Sequence, residues 1–71
     1  MKIQFRIYDS FNRVYSNAYI IPYNGKITES FLREKCAELF PELIQGSIYS
    51  VYNGYIIAVD GFTDIDISFI T

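Results

Sequence analysis

The fold is decided by two alternating stretches, MKIQFRI at residues 1–7 and DIDISFI at residues 64–70. A period of two over such a length predicts a strand with one buried face and one wet face. The first wet face carries Lys2 and Arg6, and the second carries Asp64 and Asp66. Because these charges are complementary, the two stretches are predicted to be neighbouring strands in the middle of one sheet.

The composition predicts a small soluble domain that depends on its core. The chain has 71 residues, of which 51% are hydrophobic and 18% aromatic, and its single cysteine, Cys36, cannot form an internal disulfide. We expect a single domain over residues 1–71. The sequence has no apolar run long enough to span a bilayer and no signal-peptide core. We therefore expect a cytoplasmic protein with no membrane partner.

The charges argue against a nucleic-acid partner. The net charge is −2, and the six basic residues are scattered over three segments instead of forming a stripe. Binding to phosphates normally needs such a stripe. A protein that mimics DNA would need a dense acidic face, whereas half of the eight acidic residues lie in one predicted helix and its tail.

Turn-forming residues at 9–13 separate the first strand from a second extended segment, Val14 to Ile21, so a hairpin is predicted. Strict alternation would place Tyr15 and Tyr19 on one face of the second strand. Neither face of this strand is plainly polar, so the sequence does not decide which of its two faces is buried. Pro22 ends the strand or marks an edge.

A helix is predicted to begin at Thr28, which is a good N-cap, with Ile27 and Leu32 as a hydrophobic staple. Pro41 disfavours helical geometry in the residue before it, so the regular helix is predicted to end near Phe40. One apolar stripe should cover the sheet, and it consists of Leu32, Cys36, Leu39 and Leu43.

Three strands are predicted after the helix. Asn53-Gly54 favours a type I′ turn between strands near residues 47–52 and 55–60, because both residues tolerate positive φ. Asp60-Gly61 marks a second reversal before the last strand, residues 64–70. The predicted fold class is α+β, with the order ββαβββ.

This order of elements resembles the β-grasp arrangement of ubiquitin-like proteins and of immunoglobulin-binding protein L. The resemblance implies a mixed sheet in which the N- and C-terminal strands lie parallel at the centre, with one helix packed on one face. It rests on element order and on no diagnostic motif. A likeness of topology carries no function with it.

No catalytic pattern is present, and we expect no enzyme activity, no cofactor and no metal site. The chain has no histidine, so imidazole-based triads and relays are excluded. Cys36 has no predicted base beside it and is interpreted as a buried apolar residue. The carboxylates of Asp60, Asp64 and Asp66 fall short of a calcium loop and are interpreted as one turn residue and two solvent-facing strand residues.

The seven tyrosines exceed what a small core needs, because a sheet with one covered face cannot bury all of them. Tyrosine is enriched at protein interfaces. Cross-strand pairing that only stabilises the sheet is the alternative interpretation. The predicted partner-binding residues are Tyr15, Tyr19, Tyr52 and Tyr55.

Two functions from different classes follow. The first is a small protein-binding module, for example a phage-encoded or mobile-element inhibitor that occupies a surface of a larger macromolecular complex through its sheet face or a strand edge. The second is a structural or assembly subunit that forms a homodimer or larger oligomer through a Tyr-rich sheet face. In both cases the expected partner is a protein.

Overall fold

The computed structural model describes all 71 residues and shows two strands, one helix and three strands in the predicted order. The elements are β1 (Lys2–Asp9), β2 (Val14–Pro22), α1 (Glu29–Leu39), β3 (Ile48–Val51), β4 (Gly54–Ala58) and β5 (Thr63–Ile70). The strands form one sheet in the order β2-β1-β5-β4-β3. The predicted central position of the two terminal strands is thus confirmed.

Every pair of neighbouring strands is antiparallel, including β1 and β5. The predicted mixed sheet with parallel terminal strands is therefore wrong, and so is the β-grasp-like topology. The reason is the number of times that the chain reverses its direction between β1 and β5. Three hairpins reverse its direction, whereas the crossover through α1 returns it in the direction of β2. An odd number of reversals leaves β5 antiparallel to β1.

The direction of β5 decides which charges meet. Arg6 lies opposite Asp66, and one guanidinium nitrogen is 3.9 Å from the carboxylate. Lys2, by contrast, lies opposite Ile70, and Asp64 lies opposite Tyr8. Of the predicted contacts between opposite charges on the two strands, only the one between Arg6 and Asp66 is thus formed.

The helix begins and ends at the predicted residues. Thr28 caps it, with its hydroxyl accepting a hydrogen bond from the backbone N–H of Phe31 at 3.1 Å. The backbone N–H of Phe40 donates to the carbonyl of Cys36 at 2.8 Å and closes the last turn before Pro41. With eleven residues, this one helix is too short to cross a bilayer, so no helix of the protein spans a membrane.

The core lies between α1 and one face of the sheet, which we call the helix face. Burial of these side chains removes apolar surface from water and is the main stabilising contribution to the fold. Eight side chains are buried almost completely: Leu32, Cys36 and Phe40 on the helix side, and Ile3, Phe5, Ile57, Ile65 and Ile67 on the strands. The opposite side of the sheet carries no helix, and we call it the open face.

The β3–β4 hairpin turns one residue earlier than predicted. Val51 pairs with Gly54, so Tyr52 and Asn53 are the two central residues, and only Asn53 has a positive φ, of 60°. Gly54 instead begins β4 and is buried against β5. The predicted type I′ turn at Asn53-Gly54 is wrong because Gly54 is required for a close approach between strands.

Candidate protein interface

The predicted tyrosine set does not form one surface, because a bulge inverts the alternation of β2. Phe5 pairs with Tyr19, whereas Tyr8 pairs with Tyr15, and the register shifts between these pairs. Asn17 lies at the shift with a φ of 52°. The extra residue places Tyr15 on the open face and Tyr19 on the helix face, so the prediction that they share a face is wrong.

The predicted tyrosines also differ in the side chains that they contact. Tyr19 packs edge-on against Phe40, with ring centroids 5.5 Å apart, and Tyr55 packs against Phe69 on the helix face. Tyr52 is 100% exposed at the β3–β4 turn. Tyr52 is thus the one member whose ring is fully exposed, whereas Tyr15 and Tyr19 are about half exposed and lie on opposite faces of the sheet.

The centre of the open face is occupied by an internal cluster. The guanidinium of Arg6 lies 3.7 Å from the ring centroid of Tyr15, and the ring of Tyr15 is 4.7 Å from that of Tyr8. Partial burial raises the pKa of Tyr15, and the nearby carboxylate of Asp66 raises it further. Arg6 thus lies between the ring of Tyr15 and the carboxylate of Asp66, although its Nε is buried without a hydrogen-bond partner.

The two edges of the sheet differ in how far they are protected. β2 carries the bulge at Asn17 and ends at Pro22, and both features discourage pairing with another strand. β3 has neither, and its four residues include no charge. Its Tyr49 and Val51 are exposed on the open face beside β4.

The most exposed pair of aromatic rings in contact lies at one end of the sheet, where the β1–β2 and β4–β5 turns meet. Phe11 is 75% exposed and Phe62 is 60% exposed, and their rings meet edge-on with centroids 5.9 Å apart. We call this end the aromatic tip, and it comprises residues 9–13 and 60–64.

Hydrogen bonds fix both turns of the aromatic tip. Asp9 accepts from the backbone N–H groups of Phe11 at 3.0 Å and Asn12 at 3.2 Å. Asp60 accepts from those of Phe62 and Thr63, each at 2.8 Å. The side chain of Asn12 lowers the pKa of Asp9, and the backbone N–H of Phe62 lowers that of Asp60, so both stay ionised at neutral pH.

The two turns are also tied to each other. Ser10 donates to the carbonyl oxygen of Phe62 from its backbone N–H at 2.8 Å and from its hydroxyl at 3.0 Å. These bonds hold the backbone of the tip without any contribution from the two phenylalanine rings. The rings therefore project from a hydrogen-bonded backbone and not from loose loops.

Sequence analysis overlooked Phe11 and Phe62, although a local signal was present. Each follows an aspartate by two residues, in Asp9-Ser10-Phe11 and Asp60-Gly61-Phe62. An Asp that accepts from the backbone two residues on makes an Asx turn, and this places the aromatic residue at an exposed corner. The meeting of the two corners depends on the pairing of β1 with β5.

The other chemistry-bearing groups lie outside any cleft. Cys36 is buried, and burial raises the pKa of its thiol to about 12, so the thiol stays protonated at neutral pH. The structure contains no pocket and no group of three acidic, histidine or cysteine side chains close enough to hold a metal ion.

Comparison with protein families, with curated proteins and with solved structures gives no match for this chain.

Proposed function

We propose that this protein is a small non-catalytic module that binds another protein. One observation carries the proposal. Twelve large hydrophobic side chains are exposed, whereas only eight hydrophobic side chains are buried in the core. Exposed apolar surface on this scale, when side chains cluster, is typical of a surface that a partner covers. The module would act by occupying a surface of a larger complex.

The structure offers clustered apolar side chains in two places. Phe11 and Phe62 meet at the aromatic tip, and Tyr49 and Val51 lie along the β3 edge. Both places contain aromatic side chains, and such side chains are enriched among the residues that contribute most to binding at interfaces. An inhibitory role, and an origin in a phage or mobile element, stay predictions.

The proposal is tested by affinity capture followed by a measurement in solution. The immobilised protein is exposed to a native lysate of the cells that produce it, and bound proteins are identified by mass spectrometry. We expect one captured protein, once purified, to form a complex of fixed stoichiometry by size exclusion with light scattering. A chain that captures nothing beyond a blank matrix and stays a monomer at micromolar concentration contradicts the proposal.

Self-association is the second candidate, and the β3 edge, which carries no bulge, proline or charge, favours it. In antiparallel pairing the backbone N–H and C=O groups of alternate residues point outward, so the edge can bond to the same edge of a second copy. If this function is correct, light scattering should give a dimer that Tyr49→Lys converts to a monomer. Ile20→Lys, on the open face of the β2 edge, is the matched control and should leave the dimer intact.

A further inference from the structure

The aromatic tip points to a specific kind of partner surface, and this inference rests on the proposed function. The rings of Phe11 and Phe62 contact each other. Hydrogen bonds close the turns beneath them, and in these bonds Ser10 is a donor while Asp9 and Asp60 are acceptors. Because the fold does not need the rings to hold these turns, the rings are free to contribute elsewhere. Aromatic side chains on a fixed backbone lose little freedom on binding, which favours their use as anchors.

The charge of the tip identifies the chemistry of the partner. Residues 9–13 and 60–64 contain three carboxylates, of Asp9, Asp60 and Asp64, and one guanidinium, of Arg13. Their net charge of −2 equals the net charge of the whole chain. The remaining five acidic residues are balanced by five basic ones. The two exposed rings therefore lie in a part of the molecule that carries a net negative charge.

We infer that Phe11 and Phe62 insert together into an apolar pocket of a partner protein whose rim carries lysine or arginine. The pocket would remove both rings from water, and the basic rim would complement Asp9, Asp60 and Asp64. The same charge disfavours two other occupants. A second copy would bring another net charge of −2 against the tip, and a nucleic acid would bring phosphates.

The test compares variants of the full chain in capture from native lysate and then in titrations with the purified captured protein. Phe11→Ala combined with Phe62→Ala removes both rings and leaves the hydrogen bonds of the turns in place. Ile20→Ala is the matched control, because Ile20 is 56% exposed and pairs with Gln4 near the opposite end of β1. Thermal unfolding of each variant shows whether it is folded.

A third variant tests the charge separately. The carboxylate of Asp64 makes no hydrogen bond, so Asp64→Asn removes a charge from the tip without removing a bond of either turn. Because it leaves the rings and the turns intact, it keeps the inference testable if the double alanine variant unfolds.

We expect the double variant to weaken binding of the captured protein by about 30-fold or more, since interface anchors commonly contribute that much. Ile20→Ala should bind as the parent chain does. Asp64→Asn should weaken binding by about two- to fivefold and make it less sensitive to added salt. If the double variant is folded and binds fully, or if Asp64→Asn binds more tightly, the tip is not the binding site, although the proposed function stands.

Two further outcomes separate the remaining possibilities. If the parent chain captures no protein, the proposed function fails and the inference fails with it. Neutral phosphatidylcholine vesicles are the other probe, because exposed phenylalanines also insert into bilayers. We expect no cosedimentation, since the carboxylates beside the rings would have to enter the interface. Cosedimentation that is lost in the double variant would overturn the inference in favour of a membrane.

Discussion

Gly54 is the glycine of this chain with the least room for a side chain. A Cβ at this position would overlap the carbonyl oxygen of Ile67 and lie 3.2 Å from the Cα of Ser68. Both groups belong to the backbone of β5, which cannot move as a flexible side chain would. The φ of Gly54 is not positive, so the requirement for glycine here is one of space and not of backbone conformation.

We predict that Gly54→Ala lowers the free energy of unfolding by about 1–3 kcal/mol, the usual effect of forcing an extra methyl group into a packed site. Gly61→Ala is the matched control, because a Cβ there would meet nothing within 4 Å and its φ is not positive either. The control should change stability by less than about 0.5 kcal/mol or increase it. Urea denaturation measures both, and equal effects would show that β4 and β5 are not in close contact at Gly54.

At the scale of the element, the bulge in β2 decides which side chains reach the open face. Asn17 adopts a left-handed conformation that asparagine and glycine tolerate better than other residues. The inserted residue lets Tyr15 stack on Arg6 while Tyr19 packs on Phe40. It also twists the longer free edge of the sheet, which discourages association along it.

We predict that Asn17→Val lowers the free energy of unfolding by about 1–2 kcal/mol, because a β-branched residue is strained at positive φ. Asn17→Gly, which relieves that strain, should stay within about 0.5 kcal/mol of the parent chain. Chemical denaturation compares the two variants. If valine is tolerated as well as glycine, residue 17 does not have a left-handed backbone conformation. The assignment of Tyr15 and Tyr19 to opposite faces of the sheet would then be wrong.

At the scale of the whole molecule, the acidic end of the sheet makes stability depend on pH in two opposite ways. Asp9 and Asp60 have pKa values below the ordinary 3.8, because hydrogen bonds favour their ionised forms. Asp64 has a pKa above that value, because it is partly buried and lies near Asp60 and Asp66. The first two carboxylates stabilise the folded state when ionised, whereas the third destabilises it.

We therefore predict opposite effects for two substitutions, measured as unfolding temperatures from about pH 7 to about pH 2. Asp64→Asn should raise stability at neutral pH. This advantage should shrink as the pH falls through the folded-state pKa of Asp64 and vanish below the ordinary value of 3.8.

Asp9→Asn should lower stability at neutral pH, and its deficit should shrink only below 3.8, as the parent carboxylate takes up its proton. If Asp64→Asn lowers stability at neutral pH, then the carboxylate of Asp64 accepts a bond that the structure does not show.

Local patterns in the sequence were sufficient to predict the order of the helix and strands and many of the core residues. The alternation in residues 1–7 and 64–70, the Thr28 cap and the stripe through Leu32 and Cys36 all depend on neighbours within a few positions. The central place of β1 and β5 was also predicted, from their matching periods and the opposite charges of their wet faces. The direction of β5 follows from three reversals only when the crossover through α1 returns the chain in the direction of β2, and no local pattern shows that.

The tertiary structure alone decided the features that depend on a contact between distant segments. Gly54 became a strand residue because the backbone of β5 runs against it, and Asn17 formed a bulge because β2 must pair with β1 on both sides of it. Phe11 and Phe62 lie far apart in the chain and meet only when β1 pairs antiparallel with β5. A local pattern describes one segment and carries no information about which segment will lie beside it, so the sequence determined the elements and the tertiary structure determined the surface.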